Sequence, residues 1–259
     1  MGDLRICALA SGSNGNCYYI GNTSGALLID AGISCRQIVQ RSEALGIDLH
    51  AVDAILVSHE HTDHIRGIEQ LSRRFNISVF INKETLANAH LLLDKKLIYF
   101  IEPDSKLQIG GFEVDIFSKL HDAANPASFM ISYAGKNISV LTDIGKPCAN
   151  VIQRLAQSDA VFLEANYDEQ MLLQGAYPHH LKKRISGGLG HISNYEAGLL
   201  VLEHATPRLK HVFLSHLSEN NNDPELAYTT FTALLRQRKD LEIKAIMTSR
   251  HAATEIYTL

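Results

Sequence analysis

The sequence predicts a layered α/β protein, with two sheets packed face to face and helices outside. Three observations support this class. Short apolar runs bounded by glycine-rich turns fill the first half, as antiparallel sheet requires. The second half alternates strand and helix patterns, the habit of a strand-helix layer. The chain has 259 residues, of which 46% are hydrophobic and 20% charged, enough for a large core and unlike a disordered composition. No long polar linker or fixed-period repeat interrupts it, so one domain over 1–259 is expected.

Leu4 to Ala10 reads as a strand, 11–16 as a tight loop, and Cys17 to Ile20 and Ala26 to Asp30 as further strands. Ser34 to Leu45 has helical character, with Gly46 as its stop. Ala54 to Ser58 is a short buried strand. The spacing of Ile65, Ile68 and Leu71 predicts a helix from Asp63 to Phe75. Strand, helix and strand follow at 77–81, 84–92 and 98–101. Gly110-Gly111 joins 106–109 to 112–118 as a hairpin, and Gly135 joins 128–133 to 137–142 likewise. Cys148 to Ala156 is then helical, Ala160 to Glu164 a strand, and Glu169 to Gln174 helical. A loop rich in Lys, Arg and Gly spans Tyr177 to Gly190. The order closes with a helix at 194–204, a strand at 211–215, a helix at 225–239 and a strand at 243–248.

Composition narrows the function classes. The start, Met1-Gly2-Asp3-Leu4-Arg5, lacks the pattern of a secretory leader, and Gly2 is not followed by the serine or threonine of a myristoylation signal. No apolar run reaches the roughly 18 residues of a membrane span, so a cytoplasmic protein without a membrane partner is expected. The four cysteines lack a C-x-x-C pair and read as reduced thiols. With 24 Lys and Arg against 28 Asp and Glu, the formal charge is −4, which argues against a general nucleic-acid coat. A nuclease remains compatible, because metal ions and a local basic patch can offset phosphate charge. Nothing in the sequence decides against a homo-oligomer.

Histidine, at 13 residues, is the unusual component. The apolar strand Ile55-Leu56-Val57 runs into Ser58-His59-Glu60-His61-Thr62-Asp63-His64. A lone histidine beside such a strand is most often a satisfied core residue. Four imidazole or carboxylate ligand types within six residues instead suit zinc or a borderline ion such as manganese. Further ligands must come from elsewhere, and His121, Asp143 and His216 each follow an apolar strand in the same manner.

The run from His59 to His64 is the H-x-H-x-D-H motif, and nearly the whole chain resembles the metallo-beta-lactamase superfamily. That resemblance implies a four-layer αββα sandwich with two divalent ions, Zn or Mn, with Fe also compatible. It places His59, His61 and His121 on one ion, Asp63, His64 and His216 on the other, and Asp143 between them. His191 competes with His216 for the last position; Phe213-Leu214-Ser215-His216 favours His216 as the superfamily's late strand-then-histidine motif.

The segments Ala10-Ser11-Gly12-Ser13-Asn14-Gly15-Asn16-Cys17, Leu28-Ile29-Asp30-Ala31-Gly32, Leu163-Glu164-Ala165-Asn166-Tyr167-Asp168 and Gly190-His191-Ile192-Ser193-Asn194 are jointly similar to the bacterial YycJ/WalJ (VicX) family. Tyr167 departs from the histidine common at that place. The resemblance implies a DNA exonuclease of 5′-to-3′ polarity using a metal-activated hydroxide, with Asp63 and His191 as catalytic candidates. A glyoxalase II-like thioester hydrolase is the alternative, since it would use the same ligands. From the residues themselves, Ser13 and Asn14 sit in a loop able to cradle an anion or simply to turn a hairpin. Lys182, Lys183 and Arg184 form the one dense cationic run, with His191 and Asn194 beside it, and are candidates for phosphate contact. Ser193 or Asn194 reads as a helix cap. Asp30, ending a strand, either caps a turn or orients a ligand histidine.

Overall fold

The computed structural model describes residues 3–259. Met1 and Gly2, on which the leader and myristoylation readings partly turn, lie outside the described residues. In chain order the elements are β1 (Arg5–Ala10), β2 (Cys17–Gly21), β3 (Ala26–Ile29), α1 (Cys35–Ala44), β4 (Val52–Leu56), α2 (Thr62–Ile65), α3 (Ile68–Phe75), β5 (Ser78–Ile81), α4 (Lys83–Ala89) and β6 (Ile98–Phe100). They continue as β7 (Ser105–Ile109), β8 (Phe112–Ser118), β9 (Ala127–Tyr133), β10 (Lys136–Leu141), α5 (Ala149–Gln157), β11 (Ala160–Glu164), α6 (Glu169–Gln174) and α7 (His179–Ile185). The last are α8 (Asn194–His204), β12 (His211–Ser215), α9 (Pro224–Leu235), β13 (Lys244–Met247) and β14 (Tyr257–Thr258).

The chain forms two compact units: Met1–Ser118 with Ala123–Lys136 and Ser249–Leu259, and Lys119–Asp122 with Asn137–Thr248. In unit one, a sheet runs in the order β14-β1-β2-β3-β4-β5-β6. The strands from β14 to β3 pair antiparallel, and β3 to β6 pair parallel. A separate run of β7, β8 and β9 forms an antiparallel meander. Leu9, Leu28, Ile55, Val57, Ile68, Leu71 and Val79 belong to one buried apolar cluster. Each such side chain removed from water is worth about 1.5–3 kcal/mol. Helix α1 joins this core through Cys35, Ile38, Val39 and Ser42, spaced for one helical face. Its start is fixed by a capping box between Ser34 and Gln37.

Unit two carries the parallel strands β10-β11-β12-β13, with Leu141 opposite Leu163 and Leu163 opposite Leu214. Parallel strands covered on both faces read as continuous apolar runs, and Ala160 to Leu163 and Val212 to Leu214 are fully buried. Phe162 and Phe213 pack with ring centroids 4.6 Å apart. Helix α8 packs beside α5 and α9.

The structure departs from the sequence reading in several places. The helix expected from Asp63 to Phe75 is broken into α2 and α3. At the break, the Gly67 N–H donates to the Ala31 carbonyl at 2.7 Å, and a Cβ on Gly67 would fall onto the Ile33 carbonyl. The loop expected from Tyr177 to Gly190 contains α7, whose Leu181 and Ile185, four apart, are half-buried among the cations. Helix α9 ends at Leu235, short of Lys239. The terminal strand β14, paired with β1, was not expected. All four cysteines are free thiols, as expected. Among the described residues no helix is long and apolar enough to cross a membrane.

Candidate metal centre

In unit one the ligand-type residues lie just beyond the carboxyl end of β4, the usual place for sites on parallel sheet. Val57 and Ser58 carry the chain to His59, which is fully buried, and His61 directly precedes the short helix α2 that holds Asp63 and His64. Asp30, at the end of β3, organises this turn from a left-handed backbone position (φ 58°). Its Oδ1 accepts the Ser58 N–H at 2.8 Å, and its Oδ2 accepts the Ser58 hydroxyl at 2.8 Å and His64 Nδ1 at 2.7 Å. A carboxylate is acceptor-only, so the His64 proton sits on Nδ1 and Nε2 keeps its lone pair. Ser58 Oγ, whose hydroxyl hydrogen is engaged by Asp30, accepts from His59 Nδ1 at 2.9 Å, which likewise leaves the His59 Nε2 lone pair free of a proton.

The remaining ligand atoms in this unit face one another. His59 Nε2 is 3.0 Å from His61 Nδ1, and His64 Nε2 is 3.5 Å from Asp63 Oδ2. The second separation is long for a hydrogen bond. Both match the spacing of two donors that each reach about 2.0–2.2 Å to a shared ion. Asn16 closes the cluster from the glycine-rich loop: its Nδ2 is 3.2 Å from His64 Nε2, and its N–H donates to the Asp63 carbonyl at 2.8 Å. Gly32 permits this approach, since a Cβ there would overlap the Asp63 carbonyl. Ser13 and Asn14 are exposed at the tip of the loop, and the Asn16 amide lies 3.4 Å from the Asp63 carboxylate.

In unit two, His121, Asp143, Glu164, His191 and His216 come together. Asp143 and His216 follow β10 and β12 in left-handed conformations (φ 55° and 59°). Such geometry costs a non-glycine residue roughly 1–2 kcal/mol and tends to persist at functional positions. Asp143 Oδ1 lies 3.6 Å from His121 Nε2 and 3.5 Å from His216 Nε2. These are again donor separations suited to a common ion rather than to direct hydrogen bonds. His121 Nδ1 donates to the Gly190 carbonyl at 3.0 Å, leaving the Nε2 lone pair available. Burial pushes the His121 imidazole down to about 4 despite the opposing Asp143 charge, so at neutral pH it is uncharged, the form a metal site requires.

Glu164, fully buried at the end of β11, holds both late histidines. Its Oε1 accepts from His191 Nδ1 and His216 Nδ1, each at 2.8 Å. Its Oε2 accepts the backbone N–H groups of Ile144 at 2.8 Å and Ile192 at 3.3 Å. Burial alone would raise this carboxyl, but the His191 charge and the hydrogen bonds from both imidazoles bring it down to about 2. The rings of His191 and His216 lie 5.2 Å apart, both hydrogen-bonded to this carboxylate. Asn166 Nδ2 fixes the His216 carbonyl at 2.8 Å.

The other substrate candidates separate. Asn194 is buried, and its amide is hydrogen-bonded to Asn222 at 2.8 and 2.9 Å. Ser193, not Asn194, caps α8, through a capping box with Glu196. Arg184 Nε is ion-paired with Asp122 at 2.6 Å. Lys182 Nζ donates to the Leu173 carbonyl at 2.6 Å, and Lys183 is exposed on α7. Glu164 was missed as a site residue, although the acid ending an apolar strand is the signal that picked out Asp143.

The model of the metallo-beta-lactamase superfamily matches residues 10–152. The chain is 34% identical to "Exodeoxyribonuclease YycJ" of Bacillus anthracis over 240 residues, 91% of this chain and 90% of that protein. It is 32% identical over 261 aligned positions to "Exodeoxyribonuclease WalJ" of Streptococcus pneumoniae serotype 2, covering 98% and 97% of the two chains. The crystal structure of the metallo-beta-lactamase fold protein YhfI from Bacillus subtilis matches with a TM-score of 0.75 at 16% identity, over 99% of this chain and 100% of that one, a likeness of fold. The protein therefore has the α/β metallo-beta-lactamase fold and belongs to that superfamily, within the family of YycJ and WalJ.

Proposed function

We propose that the chain is a two-metal phosphodiesterase acting on DNA, an exonuclease of 5′-to-3′ polarity. The observation that carries this reading is that relatives matched over nearly their whole length are named exodeoxyribonucleases. The donor chemistry of both clusters supports it. His59, His61 and His121 are assigned to one ion, and Asp63, His64 and His216 to the other, with Asp143 shared. Zinc, manganese or iron suits these donors. The superfamily model runs across residues of both units, in keeping with a single catalytic domain over 1–259.

When bound, the ions would supply Lewis acidity and acidify a water nucleophile. The protein's own groups prepare the rest. Asp30, Ser58 and Glu164 fix imidazole protons on Nδ1, so that Nε2 of His59, His64 and His216 is ready to ligate. Asp63 adds a carboxylate that helps position the nucleophile. His191, held through Nδ1 by Glu164, has Nε2 left to contact the scissile phosphate or to protonate the departing oxygen. The Glu164 charge stabilises the imidazolium that this proton transfer requires. A DNA substrate agrees with the cytoplasmic location expected from the sequence.

The test is to strip the protein with chelator, restore zinc or manganese, and offer end-labelled DNA and a glutathione thioester in parallel. Stepwise shortening from the 5′ end supports the reading. Intact DNA with a hydrolysed thioester replaces it by the glyoxalase II-like alternative, and absence of both metal and activity points to a binding protein.

A further inference from the structure

Unit two contains a cavity of about 630 Å³ between α6 and α7, within the size range of small-molecule sites. Its floor is apolar, formed by Tyr167 and Leu172, which are 5% and 4% exposed. Leu173, 68% exposed, stands on the rim as an apolar side chain turned to solvent. His179, Lys182 and Lys183 line the opposite side. The bond from Lys182 Nζ to the Leu173 carbonyl ties the two helices together across it. Glu169 is the one acid in the lining, and its Oε1 accepts the Ser193 hydroxyl at 3.1 Å.

We propose that this cavity receives one nucleotide of the DNA strand, with its base against Tyr167, Leu172 and Leu173 and its phosphate beside Lys183 and His179. The inference rests on the DNA reading above and adds to it a subsite. Two features select this occupant. An apolar floor with a cationic rim suits a planar apolar group carrying an anion, and the lining holds two lysines against a single acid already engaged by a hydroxyl. The cavity is also joined to the histidine cluster by backbone. Tyr167, three residues beyond Glu164, forms a β-bridge with Ser193, two residues beyond His191. That bridge ties the cavity wall to the segment that carries His191. Arg184, paired with Asp122, takes no part.

The test uses single-stranded DNA with a phosphorothioate backbone and one abasic residue moved stepwise from the 5′ end. Binding to the metal-loaded full-length protein is read by fluorescence anisotropy. One position is expected at which loss of the base weakens binding about tenfold, the scale of a single stacked base. In Leu173→Asp, whose exposed site tolerates the change, that position-specific penalty disappears. Lys183→Ala lowers the slope of log affinity against log salt by about 0.7, one phosphate contact on a single strand. A flat abasic profile in the wild type, or the wild-type profile retained in Leu173→Asp, overturns the subsite. Cleavage of unmodified DNA is measured alongside. A protein that cuts no DNA defeats the exonuclease reading, while the binding profile, which needs no cleavage, still decides the cavity.

Discussion

Replacing Glu164 by Gln changes one atom of a buried acceptor that serves four donors. Oε1 receives two imidazole N–H groups at 2.8 Å each, and Oε2 receives two backbone N–H groups at 2.8 and 3.3 Å. Glutamine has a single oxygen, so its NH₂ must meet one of these pairs. Turned toward the backbone, it strands two buried donors at about 1–3 kcal/mol each, a loss of about 2–6 kcal/mol. Turned toward the histidines, it forces their protons onto Nε2 and removes the lone pair with which His216 would ligate. Metal affinity should then fall about 10–100-fold, as for other residues that orient ligands. Urea unfolding and competition with a chromogenic chelator measure the two quantities. Acid provides a third reading. A carboxyl held at about 2 rather than 4.5 stabilises the fold above pH 4.5, and that contribution is lost as pH falls toward 2. The glutamine variant lacks this dependence. A Gln variant that melts, titrates and binds metal like the wild type would refute the reasoning.

Three further outcomes follow from the same geometry. Gly32→Ala places a methyl on the Asp63 carbonyl, so the melting temperature should drop by the equivalent of about 3 kcal/mol or more, and an unchanged melt contradicts the close approach. Arg184→Ala breaks an ion pair whose arginine side chain is 60% exposed, so stability should change by no more than about 1 kcal/mol, and a larger loss measured by urea unfolding shows that the pair matters more. In metal-free protein, His121 keeps its proton off down to about pH 4, whereas the unfolded chain takes one near 6.5. Stability should therefore decline by on the order of 3 kcal/mol as pH falls through that window, and His121→Asn should flatten the decline.

The motif from His59 to His64 was legible because its ligand types are consecutive and follow one apolar strand. His121, Asp143 and His216 were legible by the same strand-then-ligand pattern, repeated far apart in the chain. Glu164 escaped because its meaning depends on partners 27 and 52 residues away, which only the fold brings to one carboxylate. The bond from Asn194 to Asn222 was hidden for the related reason that its partner lies on a distant segment. Asp30, Asp143 and His216 share a left-handed backbone that periodicity does not reveal, although Asp and His are among the residues that tolerate it. The break at Gly67 depends on a carbonyl from the 31–33 segment, and the helical spacing of the apolar residues carries no trace of it. In α7 the cationic composition masked the half-buried pair Leu181 and Ile185.

The central claim is that the histidine and carboxylate clusters bind a pair of divalent ions. Elemental analysis of the purified full-length protein, after dialysis against metal-free buffer and reconstitution, measures this directly. Two tightly held ions per chain, with loss in a His59→Ala and His64→Ala double variant that remains folded, is the predicted result. A folded wild-type protein that retains no zinc, manganese or iron would contradict the account at its base.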